Sequence, residues 1–224
     1  METAVSDTTA SESARGSARH PIFARIYGRI AAAGEESGRV AHRTGLLAGL
    51  SGKVIEVGAG TGLNFEHYPP TVTDVLAVEP EPRLRRLAAQ AAARARVPVR
   101  IVAGTADQLP GSDAEFDAGV CSGVLCSVPD QAQALAELRR VIRPGGQLRF
   151  YEHVRSADPR LARYQDRADR IWAALNGGCH SNRDTETAIT AEGFHLEACR
   201  RFDFRPSLLA ALVAPQILGR ATRA

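Results

Sequence analysis

Two acids and three glycines carry the first chemistry that can be read from this chain. In VIEVGAGTG, residues 54–62, a short apolar run carries Glu56 and leads to Gly58, Gly60 and Gly62 at alternate positions. Glycine admits left-handed dihedrals and lets a backbone pass close beneath a ligand. An acid near the end of a strand buried on both faces is costly unless something compensates its charge, so Glu56 is expected to face a ligand crevice that holds a cationic group. Glu79 ends a second apolar run, DVLAVE, and precedes Pro80, which terminates a ladder. A carboxylate there can accept hydrogen bonds from both hydroxyls of a ribose. The G-x-G-x-G spacing differs from the G-x-G-x-x-G of dinucleotide enzymes, whose third glycine falls one residue later. Glu79 alone suits NAD equally well; Glu56 with this spacing does not.

Proton chemistry has fewer candidates. His153 follows QLRFYE, where the carboxyl end of a strand opens on the crevice. His180 lies in GGCHSNRD, a segment loosened by Gly177 and Gly178 that can close over a substrate. Either can take a proton from an acceptor or orient it. The plainer alternatives are a histidine packed at a strand end and a cap on a helix starting near Asn182. Cys126 and Cys179 read as small buried cysteines, and Arg183 with Asp184 as an exposed ion pair or helix-start charges. The four cysteines, Cys121, Cys126, Cys179 and Cys199, form no C-x-x-C pair and no zinc spacing, so no metal site is expected.

These residues need a scaffold that aligns strand ends. The β-rich runs KVIEV, DVLAVE, PVRIVAG, FDAGVCS and QLRFYEHV alternate with the helical segments EPRLRRLAAQAAARAR and PDQAQALAELRRVI. That alternation predicts an α/β fold, a mostly parallel sheet with helices on both faces. RPGG at 143–146 reads as a helix exit and turn before the fifth strand. Beyond Val154 a mostly helical stretch precedes two further β-rich runs, near FHLEACRRFDF and PQILGRATR. Ahead of the first strand, Ile22, Phe23, Ile26, Tyr27 and Ile30, then Val40, Leu46, Leu47 and Leu50, give two helices broken at Gly34. Phe23, Tyr27, Tyr164 and Trp172 are either pocket walls or plain core. The expected organisation is a disordered tail over 1–19 and a single domain over 20–224. Within that domain we expect a helical lid (20–50), a cofactor-binding core (51–154), a helical substrate cap (155–190) and terminal strands (191–224).

A net charge of +3 with 44 % apolar and 24 % charged residues in 224 suits one soluble globular domain with a substantial core. No basic block interleaves with aromatics, which argues against nucleic acid. Lys53 is the one lysine among 28 basic residues; with the abundant alanine, this suggests a GC-rich bacterial genome. Separately placed thiols fit a reducing cytoplasm. The first residues have no signal-peptide core, and no run approaches the roughly 20 apolar residues of a membrane span.

Taken in order, VIEVGAGTG, LAVEP, AGTADQLP, FDAGVCSGVLCSV and LRRVIRPGGQLRFYEH resemble five successive motifs of the class I S-adenosylmethionine-dependent methyltransferases. The resemblance runs through Val154. It implies their Rossmann-like fold, a mostly parallel seven-stranded sheet with an N-terminal helical lid. It also implies S-adenosyl-L-methionine as cofactor, leaving as S-adenosyl-L-homocysteine. Glu56 would meet the methionine amine, directly or through water. Gly58, Ala59, Gly60, Thr61 and Gly62 would run beneath the cofactor, with the amides around Thr61 and Gly62 receiving its carboxylate at a helix N-terminus and Asn64 beside them. Glu79 and Pro80 would lie at the ribose, Asp107 at the adenine amino group and the Ala106 amide at a ring nitrogen, with Thr105, Cys121 and Ser122 completing the site.

A narrower likeness is carried by NFEHYP, VCSGVLCSVPD, NGGCHSNRDT and APQILGRATR. It is to a methyltransferase-like branch that includes small-molecule thiol S-methyltransferases and is mixed with ubiquinone- and menaquinone-type sequences. The chemistry implied is an in-line displacement that aligns a nucleophile with the methyl and excludes water. A thiol needs little help, because a pKa of about 8.5 leaves a few per cent ionised at neutral pH. S-methylation of a small apolar thiol is therefore the expectation. The alternatives are O- or C-methylation of a small phenolic or quinone metabolite, and a cofactor-binding module without methyl transfer. The expected partner is a small-molecule acceptor, with no nucleic acid and no stable membrane anchor, in a monomer or homodimer.

Overall fold

A computed structural model describes residues 38–205 and 208–224. The expected tail over 1–19, the first expected helix, and with it Phe23 and Tyr27, lie outside the described residues. Seven strands form one sheet: β1 (Gly52–Val57), β2 (Val72–Val78), β3 (Val99–Val102), β4 (Phe116–Ser122), β5 (Ile142–His153), β6 (Phe194–Asp203) and β7 (Pro215–Arg223). The order across the sheet is β3-β2-β1-β4-β5-β7-β6. β1 to β5 are parallel, while β7 runs antiparallel between β5 and β6. This is the expected mostly parallel α/β sheet, with the two late β-rich runs as its antiparallel edge.

The central strands are buried on both faces, as parallel strands under crossover helices must be. Val54 and Ile55 in β1 and Val75 and Ala77 in β2 are buried throughout. The alternation divides the apolar residues into two cores. One gathers Ile55, Val57, Leu76 and Phe150 under Leu135 and Leu138 of α3 (Gln131–Val141). The other gathers Val54, Val75, Ala77 and Val120 under Leu46 and Leu47 of α1 (Val40–Leu47) and Ala88 of α2 (Pro82–Ala92). Two more helices, α4 (Pro159–Leu175) and α5 (Thr185–Ala191), lie between β5 and β6 in the chain.

Helix starts follow local chemistry. The carboxylates of Glu81, Asp130, Asp158 and Asp184 each accept a backbone N–H in the first turn of α2 to α5 respectively, and Pro opens α2 and α4. Two local expectations need correction. The 143–146 turn is absorbed into β5, which begins at Ile142 directly where α3 ends. The glycine loop leads into no α-helix but into a three-residue 3-10 turn, Phe65–His67, because Asn64 and Tyr68 on either side of it are bonded to a buried carboxylate on β1.

Candidate active site

The strand order reverses between β1 and β4, and in open α/β sheets ligands bind at that switch point, beyond the carboxyl ends of the strands. The loops that meet there carry Gly58–Gly62, Glu79, residues 105–107 and Ser122 with Gly123. The glycines are required. Gly58 has φ 65°, and a Cβ on it would fall 2.5 Å from a Val124 methyl. Gly62 has φ 81°, and its Cβ would fall 2.6 Å from the Phe65 ring. The backbone at this mouth therefore lies closer to its neighbours than any side chain allows.

Glu56 does not face the crevice openly. It is 2 % exposed, with one carboxylate oxygen 2.9 Å from the Asn64 amide nitrogen and the other 2.7 Å from the Tyr68 hydroxyl, both of which donate to it. Behind them Arg43 of α1 donates to Asn64 Oδ1 at 2.8 Å. Burial pushes the carboxyl up to about 7, against the opposing pulls of Tyr68, Asn64 and Arg43. The protein thus offsets part of the burial cost that a ligand cation was expected to compensate, and Asn64 is tied into this network.

Glu79 directly follows β2, 4 % exposed, as a clasp on the glycine loop. Its Oε2 accepts from the Gly60 amide at 2.8 Å and its Oε1 from the Glu81 amide at 2.9 Å. Burial raises its pKa, and those amides work in the opposite direction. Each oxygen keeps a second lone pair, so a diol at the strand end can still be received. The Gly62 amide donates to the Ala59 carbonyl at 2.9 Å. Pro80 is partly buried before α2, and Thr105 and Ala106 are partly buried after β3, where Asp107 is exposed. Cys121 is fully buried and Ser122 partly exposed at the end of β4.

A second cluster lies past the ends of β4 and β5. His153 Nδ1 stands 3.7 Å from Cys126 Sγ and 3.4 Å from Cys179 Sγ, and the two sulfurs are 3.7 Å apart. Cys126 and Cys179 are 1 % and 7 % exposed, as small buried cysteines should be. The hydrogen bond from Cys179 and burial push the Cys126 thiol up to about 12. Glu152, also fully buried, accepts from the amides of Val124 and Cys126 at 3.0 and 3.1 Å and so fixes the loop after β4. His180 caps no helix, since Asp184 caps α5; its Nδ1 is paired with Asp169 Oδ2 of α4 at 2.8 Å. Arg183 is not an exposed partner of Asp184 but donates to the Leu125 and Val128 carbonyls at 2.6 Å each. Tyr164, 61 % exposed, lines no core.

The structure thus sets His153 against the Cys126 and Cys179 thiols, pairs His180 with Asp169, and gathers the glycines and Glu79 in a separate cluster past the ends of β1 and β2. Sequence reasoning missed Glu152 and Gln165. An acid inside QLRFYEHV carried the same signal as Glu56 in β1. Gln165 had none: fully buried on α4, it donates to the Val154, Ser181 and Leu212 carbonyls and accepts from the Ser156 amide.

Residues 55–150 match the family model described as a methyltransferase domain. Among solved structures, an S-adenosylmethionine-dependent methyltransferase of Thermotoga maritima is similar with a TM-score of 0.63 at 23 % identity, covering 91 % of this chain and 98 % of that one. The cyclase SpnF is similar at 0.62 and 19 % identity, covering 85 % and 80 %, a likeness of fold alone. Fold and glycine-lined switch point together define a class I methyltransferase architecture. The chain is 34 % identical over 183 residues to the thiol S-methyltransferase TMT1B of Homo sapiens, covering 79 % of this chain and 74 % of that protein. A demethylmenaquinone methyltransferase of Deinococcus radiodurans is 32 % identical over 148 residues, covering 62 % and 61 %. The chain belongs to the S-adenosylmethionine-dependent methyltransferases, and S-adenosylmethionine is its cofactor. The crowded glycine backbone and the carboxylate at the end of β2 fit that group. No helix among the described residues is long and apolar enough to cross a membrane.

Proposed function

We propose that this enzyme methylates the thiol of a small molecule. The observation that carries the reading is the reach of the likeness to thiol S-methyltransferases. It extends over 79 % of the chain, well outside the 55–150 cofactor core, whereas the demethylmenaquinone methyltransferase matches over 62 %. The site supports it from a second direction. Among the described residues, His153 Nδ1 faces two thiols rather than a carboxylate that would orient it as a base; an acceptor that ionises by itself needs none.

In this reading Glu79 holds the ribose and Asp107 and the Ala106 amide hold the adenine. The Gly58–Gly62 backbone runs beneath the methionine moiety, with Ala59, Thr61, Pro80, Thr105, Cys121 and Ser122 around it. Glu56 and Asn64 act from behind, by holding the loop. The cofactor supplies an electrophilic methyl, and the protein supplies alignment and exclusion of water. A second reading, O-methylation of a phenol, is favoured by one geometry: Asp169 orients His180 through Nδ1, leaving Nε2 as the basic nitrogen.

The test is S-adenosylhomocysteine formation with a matched aromatic thiol and phenol. Turnover of the thiol alone is expected. Turnover of the phenol alone, lost in His180→Ala and recovered at high pH, would replace this reading by the second. Silence with every acceptor would favour a cofactor-binding module.

A further inference from the structure

The Cys126–His153–Cys179 cluster has a shape that hydrogen bonding alone does not require. Around a tetrahedral ion with metal–sulfur bonds of about 2.3 Å and metal–nitrogen bonds of about 2.0–2.1 Å, sulfurs lie about 3.8 Å apart and sulfur and nitrogen about 3.5 Å. The three edges here are 3.7 Å between the sulfurs, and 3.7 and 3.4 Å from Nδ1 to each sulfur. Three soft or borderline donors thus stand at three corners of one coordination tetrahedron.

Each donor is positioned independently and from behind, as metal ligands are. Glu152 holds the Cys126 amide, and the His180 amide donates to the Cys126 carbonyl at 2.8 Å. His153 is fixed by the β5–β7 ladder opposite Gln216. Cys179 closes a turn on the Asn176 carbonyl at 3.2 Å. Two thiolates neutralise a divalent ion. The partly exposed His153 gives the ion a way in.

We propose that Cys126, His153 and Cys179 form a three-ligand site for a thiophilic divalent cation of the zinc class, whose fourth position takes the sulfur of the acceptor. Three protein ligands with one open position is the pattern of catalytic rather than structural zinc. The acceptor role rests on the thiol reading above; the metal site does not. On binding, the acceptor thiol releases its proton to solvent and gives a sulfur lone pair to the metal. The bound thiolate then forms a bond to the methyl as the sulfonium carbon–sulfur bond breaks, and that electron pair stays on the sulfur of S-adenosylhomocysteine. The product thioether is neutral, a weaker ligand, and leaves.

The full chain, stripped with a chelator and kept reduced, would be titrated with cobalt(II). One equivalent should bind with the absorption of tetrahedral cobalt and a thiolate-to-cobalt charge-transfer band. Cys126→Ser, Cys179→Ser and His153→Ala should each weaken binding at least tenfold while S-adenosylhomocysteine still binds by calorimetry. Should either serine variant fail to fold, His153→Ala, which keeps both thiols, carries the comparison. No cobalt bound at equimolar ratio, or equal affinity in the variants, overturns the site. Adding an aromatic thiol, but not its phenol, should shift the charge-transfer band. A bound metal with an unshifted band overturns acceptor ligation, as does undiminished thiol turnover by stripped protein, which leaves the thiol reading standing. Metal binding without any thiol turnover removes the thiol reading and acceptor ligation together.

Discussion

Glu56→Gln isolates the cost of the carboxylate under the glycine loop. In the folded protein burial raises this group from 4.5 to about 7; in the unfolded chain it returns to 4.5 or close to it. Below that lower value both states are protonated and the group contributes no pH dependence. Between the two values the unfolded chain ionises while the folded protein keeps its proton, so stability falls as pH rises, and above about 7 both are ionised and the loss is complete. The gap corresponds to about 3 kcal/mol. Glutamine stays neutral, and the Tyr68 hydroxyl, which now donates to Glu56, can turn to accept from the new amide. Urea unfolding of cofactor-free wild type and variant across about pH 4 to 8 cancels the other titrating groups in the difference. We expect wild type to lose about 3 kcal/mol relative to the variant over that range. A flat difference would refute the argument, and a rise would mean that Arg43, acting through Asn64, holds the carboxylate ionised.

Three further outcomes follow from the same geometry. Glu79→Ala should weaken S-adenosylhomocysteine binding by about 1.5–3 kcal/mol, the scale of hydrogen bonds to a charged group; unchanged calorimetric affinity in folded protein would remove Glu79 from the site. Gly58→Ala puts a methyl 2.5 Å from Val124 at φ 65°, so thermal unfolding should show a loss of about 2–4 kcal/mol, combining left-handed backbone strain with overpacking. Gln165→Ala strands the Ser156 amide and leaves three carbonyls without their donor, and should cost about 2–3 kcal/mol in urea.

The strands and helices were legible because their signals are local. Alternating β-rich runs and amphipathic segments, with acids and prolines at helix starts, specify a parallel sheet under helices whatever lies elsewhere in the chain. The need for glycine at 58 and 62 was legible for the same reason, since a crowded turn demands it, whereas the burial of Glu79 against the Gly60 and Glu81 amides was not. What failed was non-local. The inward turn of Glu56 depends on Arg43, Asn64 and Tyr68 finding it, and the helix expected after Gly62 gave way to that network. Cys126 and Cys179 lie 53 positions apart, one in the loop after β4 and the other after α4, so no local pattern shows that both sulfurs reach His153. His180 looked like a cap because its partner, Asp169, lies on another helix.

The place of β7 inside the sheet bears on how the chain is made. As synthesis proceeds from the amino end, β1 to β5 can assemble as soon as β5 emerges, and the cofactor-binding loops are then complete. His153, however, pairs with Gln216, and among the described residues no earlier strand pairs with that edge of β5. At roughly 5–20 residues per second, the ribosome needs about 4–14 s to deliver the missing strand. For that interval the nascent protein presents a hydrophobic strand edge, the kind that recruits other chains. Slowing of translation between β5 and β7 would lengthen that interval, and a chaperone bound near the exit tunnel would have its target at β5.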